Sequence, residues 1–179
     1  MIPTDDQLIA QIAAGEPTAL DQLMNRHGPR LMRFATHYLH SSSDADDVLQ
    51  EVFLRADRAI RNGSRPDQVS AWLFRITVNR CRSHRRRWWP FVSGAAADHA
   101  IARAATTDTH EQFAWRDEID RALSTLSAPL REAFLLKHVD GMAYDEMVAV
   151  TGASLSALKM RVTRACDQLR ERLQEVRNA

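Results

Sequence analysis

The sequence predicts an all-α protein of two small helical domains joined by a flexible linker. Three observations carry this. Apolar residues recur at helical spacing along most of the chain, and no segment alternates as a half-buried strand does. From about Trp88 to Thr109 the pattern stops, with Pro90, Gly94, an alanine run and "TTDTH" in place of a core-forming composition. The division is therefore 1–90, a linker 91–112, and 113–179. With 179 residues, 45% of them hydrophobic and 26% charged, the chain has the composition of a globular protein with one ordinary core or two small ones.

Each helix has local start and stop signals. Thr4 precedes a first short helix that Gly15 ends; a second runs from about Pro17 to His27, and Gly28-Pro29 breaks it before a third reaching about His40. Ser43 and Asp46 have capping-box spacing and start a helix that continues to about Arg61. "RNGSRPD" is a turn, and a long helix over about 68–87 closes the first half. Within the linker, "ADHAIARAA" also has helical character. The second half reads as helices over about 111–125, 128–139, 143–150 and 154–175. Ser127 and Pro129 mark the start of the second of these, and Asp140-Gly141 its end. The three-residue turn "TGA" (151–153) then separates a short helix from a longer one, which is the helix-turn-helix pattern.

Several classes are disfavoured. "MIPTDDQLIA" is acidic where a secretory signal is basic, and no apolar run approaches the ~18 residues a membrane span needs. The expectation is a cytoplasmic protein without membrane insertion. Cys81 and Cys166 stand far apart and outside any C-x-x-C pattern, as reduced thiols do. His37 with His40, and Cys81 with His84, share i, i+3 spacing, yet two ligands do not make a metal site. Neither G-x-S-x-G, a P-loop nor H-E-x-x-H occurs, so the reading is a non-enzyme without catalytic residues, cofactor or metal.

Charge is informative by region. The formal total is only +1, but residues 1–92 carry net +3 and 93–179 net −2. Only Lys137 and Lys159 of the 24 basic residues are lysines, which reflects either codon bias or the suitability of arginine's planar fork for phosphate and base contacts. On the long helix Val69, Trp72, Leu73 and Ile76 form a core stripe, while Arg75, Asn79, Arg82 and Arg86 form a second stripe at spacings 4, 3, 4. Arg80, Arg85 and Arg87 extend this charge, and no acid occurs between Gln68 and Asp98. A solvated charged face mixes signs, so this surface points to nucleic acid. If about five arginines met phosphates, log affinity would fall against log salt with a slope near −4 to −5 on duplex. Asn79 suits a base edge; Trp88 and Trp89 either stack on unpaired bases or pack under the linker.

A second candidate lies in the last helix. Leu155, Leu158, Val162, Ala165 and Leu169 repeat at 3, 4, 3, 4 and face the core. The opposite face presents Ser156, Ala157, Met160 and Arg164, flanked by Lys159 and Arg161, with Ser154 as cap. Small residues at its N-terminal end allow deep entry into a major groove, with flanking cations on phosphates. A structural helical hairpin is the alternative for this segment alone.

These segments, in this order, resemble the extracytoplasmic-function sigma factors of bacterial RNA polymerase over nearly the whole chain. "DADDVLQEVFLRA" is similar to the family's region 2.2, "AWLFRITVNRCRSHRRR" to regions 2.3 and 2.4, and "LREAFLLKHVDGMAYDEMVAVTGASLSALKMRVTRA" to region 4. The resemblance implies an alternative sigma factor that joins core RNA polymerase and recognises and melts promoters. Asp47, Gln50, Glu51 and Phe53 match the surface that holds the clamp of the beta-prime subunit. Asn62 and Ser64 lie in the loop that receives a base flipped from the minus-10 element; Arg75, Asn79, Arg80, Arg82 and Arg86 match the helix that melts that element. Ser154, Ser156, Lys159, Met160, Arg161 and Arg164 fall on the helix that reads the minus-35 element. The linker is similar to the segment threading toward the polymerase active site and RNA exit channel. An anti-sigma factor as partner and a monomeric free state are further implications.

The departures from the family pattern also carry expectations. Ala143 stands where the family usually has a Ser or Thr cap, Val148 where it has a smaller alanine, and Ala157 and Met160 where polar residues are common. Minus-35 readout is expected to rest less on hydrogen bonds and more on DNA shape. Two rival readings remain at this stage. One is a helix-turn-helix regulator acting without core polymerase, which leaves the arginine helix unexplained; the other is a metal or redox sensor.

Overall fold

The computed structural model describes residues 2–88 and 119–178. The predicted linker, the start of the predicted 111–125 helix and the Trp88 and Trp89 side chains lie outside what is described. Helix α1 (Asp5–Ala13) begins with a capping box: Gln7 N–H donates to Thr4 Oγ1 at 3.3 Å, and Thr4 N–H donates to Gln7 Oε1 at 2.9 Å. Its Leu8, Ile9 and Ile12 are buried.

Helix α2 runs uninterrupted over Pro17–Leu39, which corrects the expected break at Gly28-Pro29. A proline has a helical φ but removes one N–H and crowds the carbonyl four residues back, a cost of about 3 kcal/mol that the shared core on both sides must offset. Leu23 lies on one side of it and Leu31, Phe34, Ala35 and Tyr38 on the other, all buried. Gly28 lies against the Phe53 ring, with 4.0 Å from an added Cβ position to Cε2. The helix ends at His40, which takes a left-handed conformation (φ 55°).

Helix α3 (Ser42–Arg61) has its cap at Ser41, two residues before the predicted Ser43. Ser41 accepts the Asp44 N–H at 3.2 Å, so the serine run forms the helix boundary. Helix α4 follows at Val69–Trp88. Phe34 anchors the α2–α4 packing, stacked on Tyr38 at 5.7 Å and edge-on to Phe74 at 5.9 Å. The buried side of α4 is wider than the predicted stripe, with Phe74, Val78 and Cys81 buried beside Val69 and Leu73, and Trp72 and Ile76 only half-buried.

The second body begins with a helical segment over 119–125, then α5 (Ala128–Phe134). Pro129 sits in its first turn, but Ser127 makes no side-chain cap. The helix then widens into a π turn, Leu135–Val139, closed by Asp140 N–H to Leu135 O at 3.0 Å. Helices α6 (Tyr144–Thr151) and α7 (Leu155–Asn178) form the hairpin. Gly152 suits the turn: its φ of 72° costs a residue with a Cβ about 1 kcal/mol or more, and its N–H donates to Val148 O at 2.9 Å. Leu158, Val162, Ala165 and Leu169 are buried as their spacing predicts, but Leu155, the first residue of α7, is 40% exposed at the hairpin tip.

Glu146 accepts the Ala143 N–H at 2.8 Å, while Ala143 itself offers no acceptor to the first turn of α6. Its extended backbone (φ −67°, ψ 153°) suits a cap. Ala143→Ser is expected to raise stability by about 1 kcal/mol, read as an increased urea midpoint at unchanged slope.

Candidate nucleic-acid interface

Helix α4 divides its polar residues between two surroundings. Arg75, Asn79 and Arg86 are exposed along one side, and Arg87 is exposed at the end. The turn before α4 carries Asn62, exposed, and Ser64, half-buried. Gly63 (φ 96°) allows that turn, and Arg65 Nη1 fastens it by donating to Ile60 O at 3.0 Å and Ser64 O at 2.8 Å. Arg80 is drawn aside by Glu51 of α3, Nη2 to Oε2 2.8 Å.

Arg82 does not share the open surface, although its spacing puts it near Arg75 and Asn79. Its Nε and Nη2 donate to Glu132 Oε2 and Oε1 of α5 at 2.8 and 2.7 Å, a bidentate pair in which the glutamate side chain is 3% exposed. Glu132 holds the Arg82 guanidinium charged, raising its pKa against the opposing effect of burial. The same seam includes Arg30, whose Nη2 donates to Asp140 O at 3.0 Å and whose Nε lies 3.4 Å from Asp140 Oδ1. His37 Nδ1 meets Asp120 Oδ1 at 2.9 Å, and buried Arg131 donates to Tyr38 O at 3.2 Å. Sequence reading missed this seam, since no local pattern marks contacts between residues 50 to 110 positions apart.

The α7 face is open. Ser154 caps the helix by accepting the Ala157 N–H at 3.3 Å. Ser156, Lys159 and Arg164 are exposed, Met160 is 51% exposed and Arg161 half-buried. Lys159 Nζ lies 5.8 Å from the Tyr144 ring centre, and Lys137 Nζ approaches the same ring at 4.8 Å.

On α3, Asp47, Gln50 and Glu51 are exposed on one side, but Phe53 is 3% exposed and belongs to the core. The apolar residue that does reach that surface is Leu54, 49% exposed at i+7 from Asp47 and i+3 from Glu51. Sequence reading missed it, though it stands off the buried stripe of Val48, Leu49, Val52, Ala56 and Ile60. One member of each candidate metal pair is engaged otherwise, His37 by Asp120 and His84 by Asp44. His84 lies 3.5 Å from Asp44, and burial pushes the Cys81 thiol far above the usual range. Among the described residues no group of three or more His, Cys, Asp and Glu side chains is arranged to hold a metal.

Two helical bodies, one with an exposed arginine and asparagine stripe and one a helix-turn-helix with a cationic outer face, define a transcription factor of the DNA-binding class. Comparison with known proteins refines this. The sigma-70 region 2 family matches residues 23–90, and the sigma-70 region 4 family matches residues 116–169. RNA polymerase sigma factor CnrH of Cupriavidus metallidurans is 35% identical, over 90% of each chain. Sigma factor SigM of Mycobacterium tuberculosis is 31% identical over 90% of this chain and 81% of its own. The structure of CnrH in complex with the cytosolic domain of CnrY superimposes with TM-score 0.72 at 30% identity, covering 96% of this chain and 97% of that one. That of RpoE from Bartonella quintana with the anti-sigma factor NepR gives 0.68 at 25% identity, over 88% and 98%. The chain belongs to the extracytoplasmic-function sigma factors: it is an alternative sigma factor that directs promoter-specific transcription.

His40 supplies the acid sensitivity of the seam. Its Nε2 is buried without a hydrogen-bond partner, and burial lowers its pKa from 6.5 to about 4; Arg131, Arg85 and His37 act in the same direction, and Asp120 opposes them. An unfolded imidazole therefore takes a proton that the folded one refuses, so His40 costs stability as pH falls from about 6.5 to about 4. Burial raises the Asp140 pKa and works in the opposite sense. His40→Asn, which tolerates the left-handed backbone, is expected to flatten the acid-side loss across that window in urea unfolding followed against pH.

Proposed function

We propose that this chain joins core RNA polymerase through α3 and opens promoters by holding a separated strand on α4. In that reading Asp47, Gln50 and Glu51 present polar groups to the beta-prime clamp, Leu54 supplies the apolar centre, and Phe53 supports the face from beneath. Residues 1–90 form the unit that reads and melts the minus-10 element, 113–179 the unit that reads the minus-35 element, and 91–112 the linker between them.

Melting leaves unstacked bases and closely spaced phosphates that must be captured at once. Arg75, Arg86 and, once freed, Arg80 and Arg82 neutralise the backbone, Asn79 reads a base edge, and the Asn62–Ser64 turn takes an extruded base. At minus-35, Lys159, Arg161 and Arg164 grip phosphates. Ser154 and Ser156 offer small donors at the helix start, and Met160 lays an apolar surface where a thymine methyl can sit. The observation that carries the reading is the exposed Arg75, Asn79 and Arg86 stripe, on a helix with no acidic residue. The chain serves the polymerase's chemistry without performing any, acts in the cytoplasm as a monomer when free, and is held by an anti-sigma factor. CnrH with CnrY, and RpoE with NepR, support the last point.

Run-off transcription with core polymerase on a genomic library is expected to yield new promoter-specific transcripts. Two variants separate the surfaces. Arg75→Ala with Asn79→Ala retains core binding and loses transcription by tenfold or more, on the order of 1.4 kcal/mol or above. Leu54→Asp weakens core binding itself, measured by fluorescence titration. Unchanged transcription in the first variant would contradict the proposal.

A further inference from the structure

Glu51 belongs to two surfaces at once. On α3 it stands with Asp47, Gln50 and the exposed Leu54, on the side proposed to meet the polymerase clamp. Across the contact between α3 and α4 its Oε2 also lies 2.8 Å from Arg80 Nη2. Arg80 follows Asn79, so at about 100° per residue it leaves α4 on the flank between the exposed stripe and α3. One ion pair inside the first body therefore joins the two proposed interfaces.

The pair is poised for exchange. Arg82 grips Glu132 with two nitrogens on two oxygens, whereas Arg80 meets Glu51 through Nη2 and keeps its Nε buried with no partner. The Glu51 side chain is 52% exposed, and an ion pair so open to water is held weakly. A cation of the clamp competes with Arg80 for the carboxylate. A strand phosphate competes with Glu51 for the guanidinium, whose fork suits it better than a single contact does.

We infer that the Glu51–Arg80 pair couples the two interfaces: clamp capture of Glu51 releases Arg80 to the separated strand, and strand capture of Arg80 releases Glu51 to the clamp. This rests on the proposed roles of α3 and α4. Coupling between binding sites is reciprocal, so each ligand tightens the other by the same factor. For a partly exposed ion pair that factor is about threefold. Removing Arg80 then tightens polymerase binding, because Glu51 is no longer engaged.

The test uses the full chain, core RNA polymerase and a fluorescein-labelled thymidine-rich single strand, with affinities from fluorescence titration. Arg80→Gln is expected to bind core polymerase about threefold more tightly at unchanged helical circular dichroism. Without polymerase, Glu51→Gln binds the strand about threefold more tightly, and its slope of log affinity against log salt steepens by about 0.7 for the one phosphate gained. Adding Arg80→Gln to Glu51→Gln removes that gain. Should Arg80→Gln fold poorly, the exposed Glu51 position still decides through the strand affinity and its salt slope. Looser polymerase binding by Arg80→Gln, as loss of a prop for Glu51 would give, overturns the inference. So does an unchanged strand affinity in Glu51→Gln, or a gain that survives in the double variant and so reports the lost negative charge alone. Failure of the underlying reading looks different: Leu54→Asp would then leave polymerase binding intact, and Arg75→Ala with Asn79→Ala would leave strand binding intact.

Discussion

Two adjacent residues of opposite charge, Arg131 and Glu132, set the arrangement of the molecule. Both are nearly inaccessible, at 3% and 2% exposed, and a buried charge is tolerated only when partners surround it. Arg131 donates to Leu123 O at 2.8 Å, Ser124 O at 2.8 Å and Leu126 O at 3.1 Å, closing the end of the 119–125 helical segment. Its Nη1 crosses to Tyr38 O in α2 at 3.2 Å, and Glu132 meets Arg82 of α4. The second body therefore completes its own hydrogen bonding only when the first lies against it. That requirement couples the stability of the α6–α7 hairpin to the state of α4.

The seam divides α4 in a way that composition alone does not show. Thr77 and Cys81 are buried, Arg82 faces the seam, and Arg75, Asn79 and Arg86 face solvent. One helix thus serves as a core element and an internal docking surface, and its remaining, solvent-facing side is the one proposed to meet nucleic acid. Were the two bodies to part, Glu132 and Asp140 would have to find other partners or meet water. Asp140 is already poorly served, its side chain inaccessible and Oδ2 without a partner. Its pKa is raised by burial against the pull of Arg30 and Arg33.

Where local chemistry decides, the sequence was legible. Thr4 with Gln7, Ser154 with Ala157 and the positive φ of Gly152 follow from cap and turn rules, and the Leu158, Val162, Ala165, Leu169 stripe from periodicity. Where tertiary packing overrides a local signal, the reading failed. Pro29 looked like a break because the shared core that carries α2 through it lies outside the local window. Leu155 looked buried because periodicity does not show where a hairpin's cover ends. Phe53 was placed on the polymerase-facing surface by motif position, whereas its ring fills the space over Gly28 and Leu54 takes the exposed place. Arg82 fell on an open stripe by angle alone, since the glutamate that engages it is 50 residues away.

The central claim is that the exposed side of α4 keeps promoter strands apart. Permanganate, which oxidises unstacked thymines, reads this directly on a promoter bound by core polymerase and this chain. The account predicts reactive thymines within the minus-10 element with the wild-type chain, and protection restored when Arg75 and Asn79 are both alanine although the complex still forms. Thymines that stay unreactive with the wild-type complex, or equal reactivity in the two complexes, would contradict it.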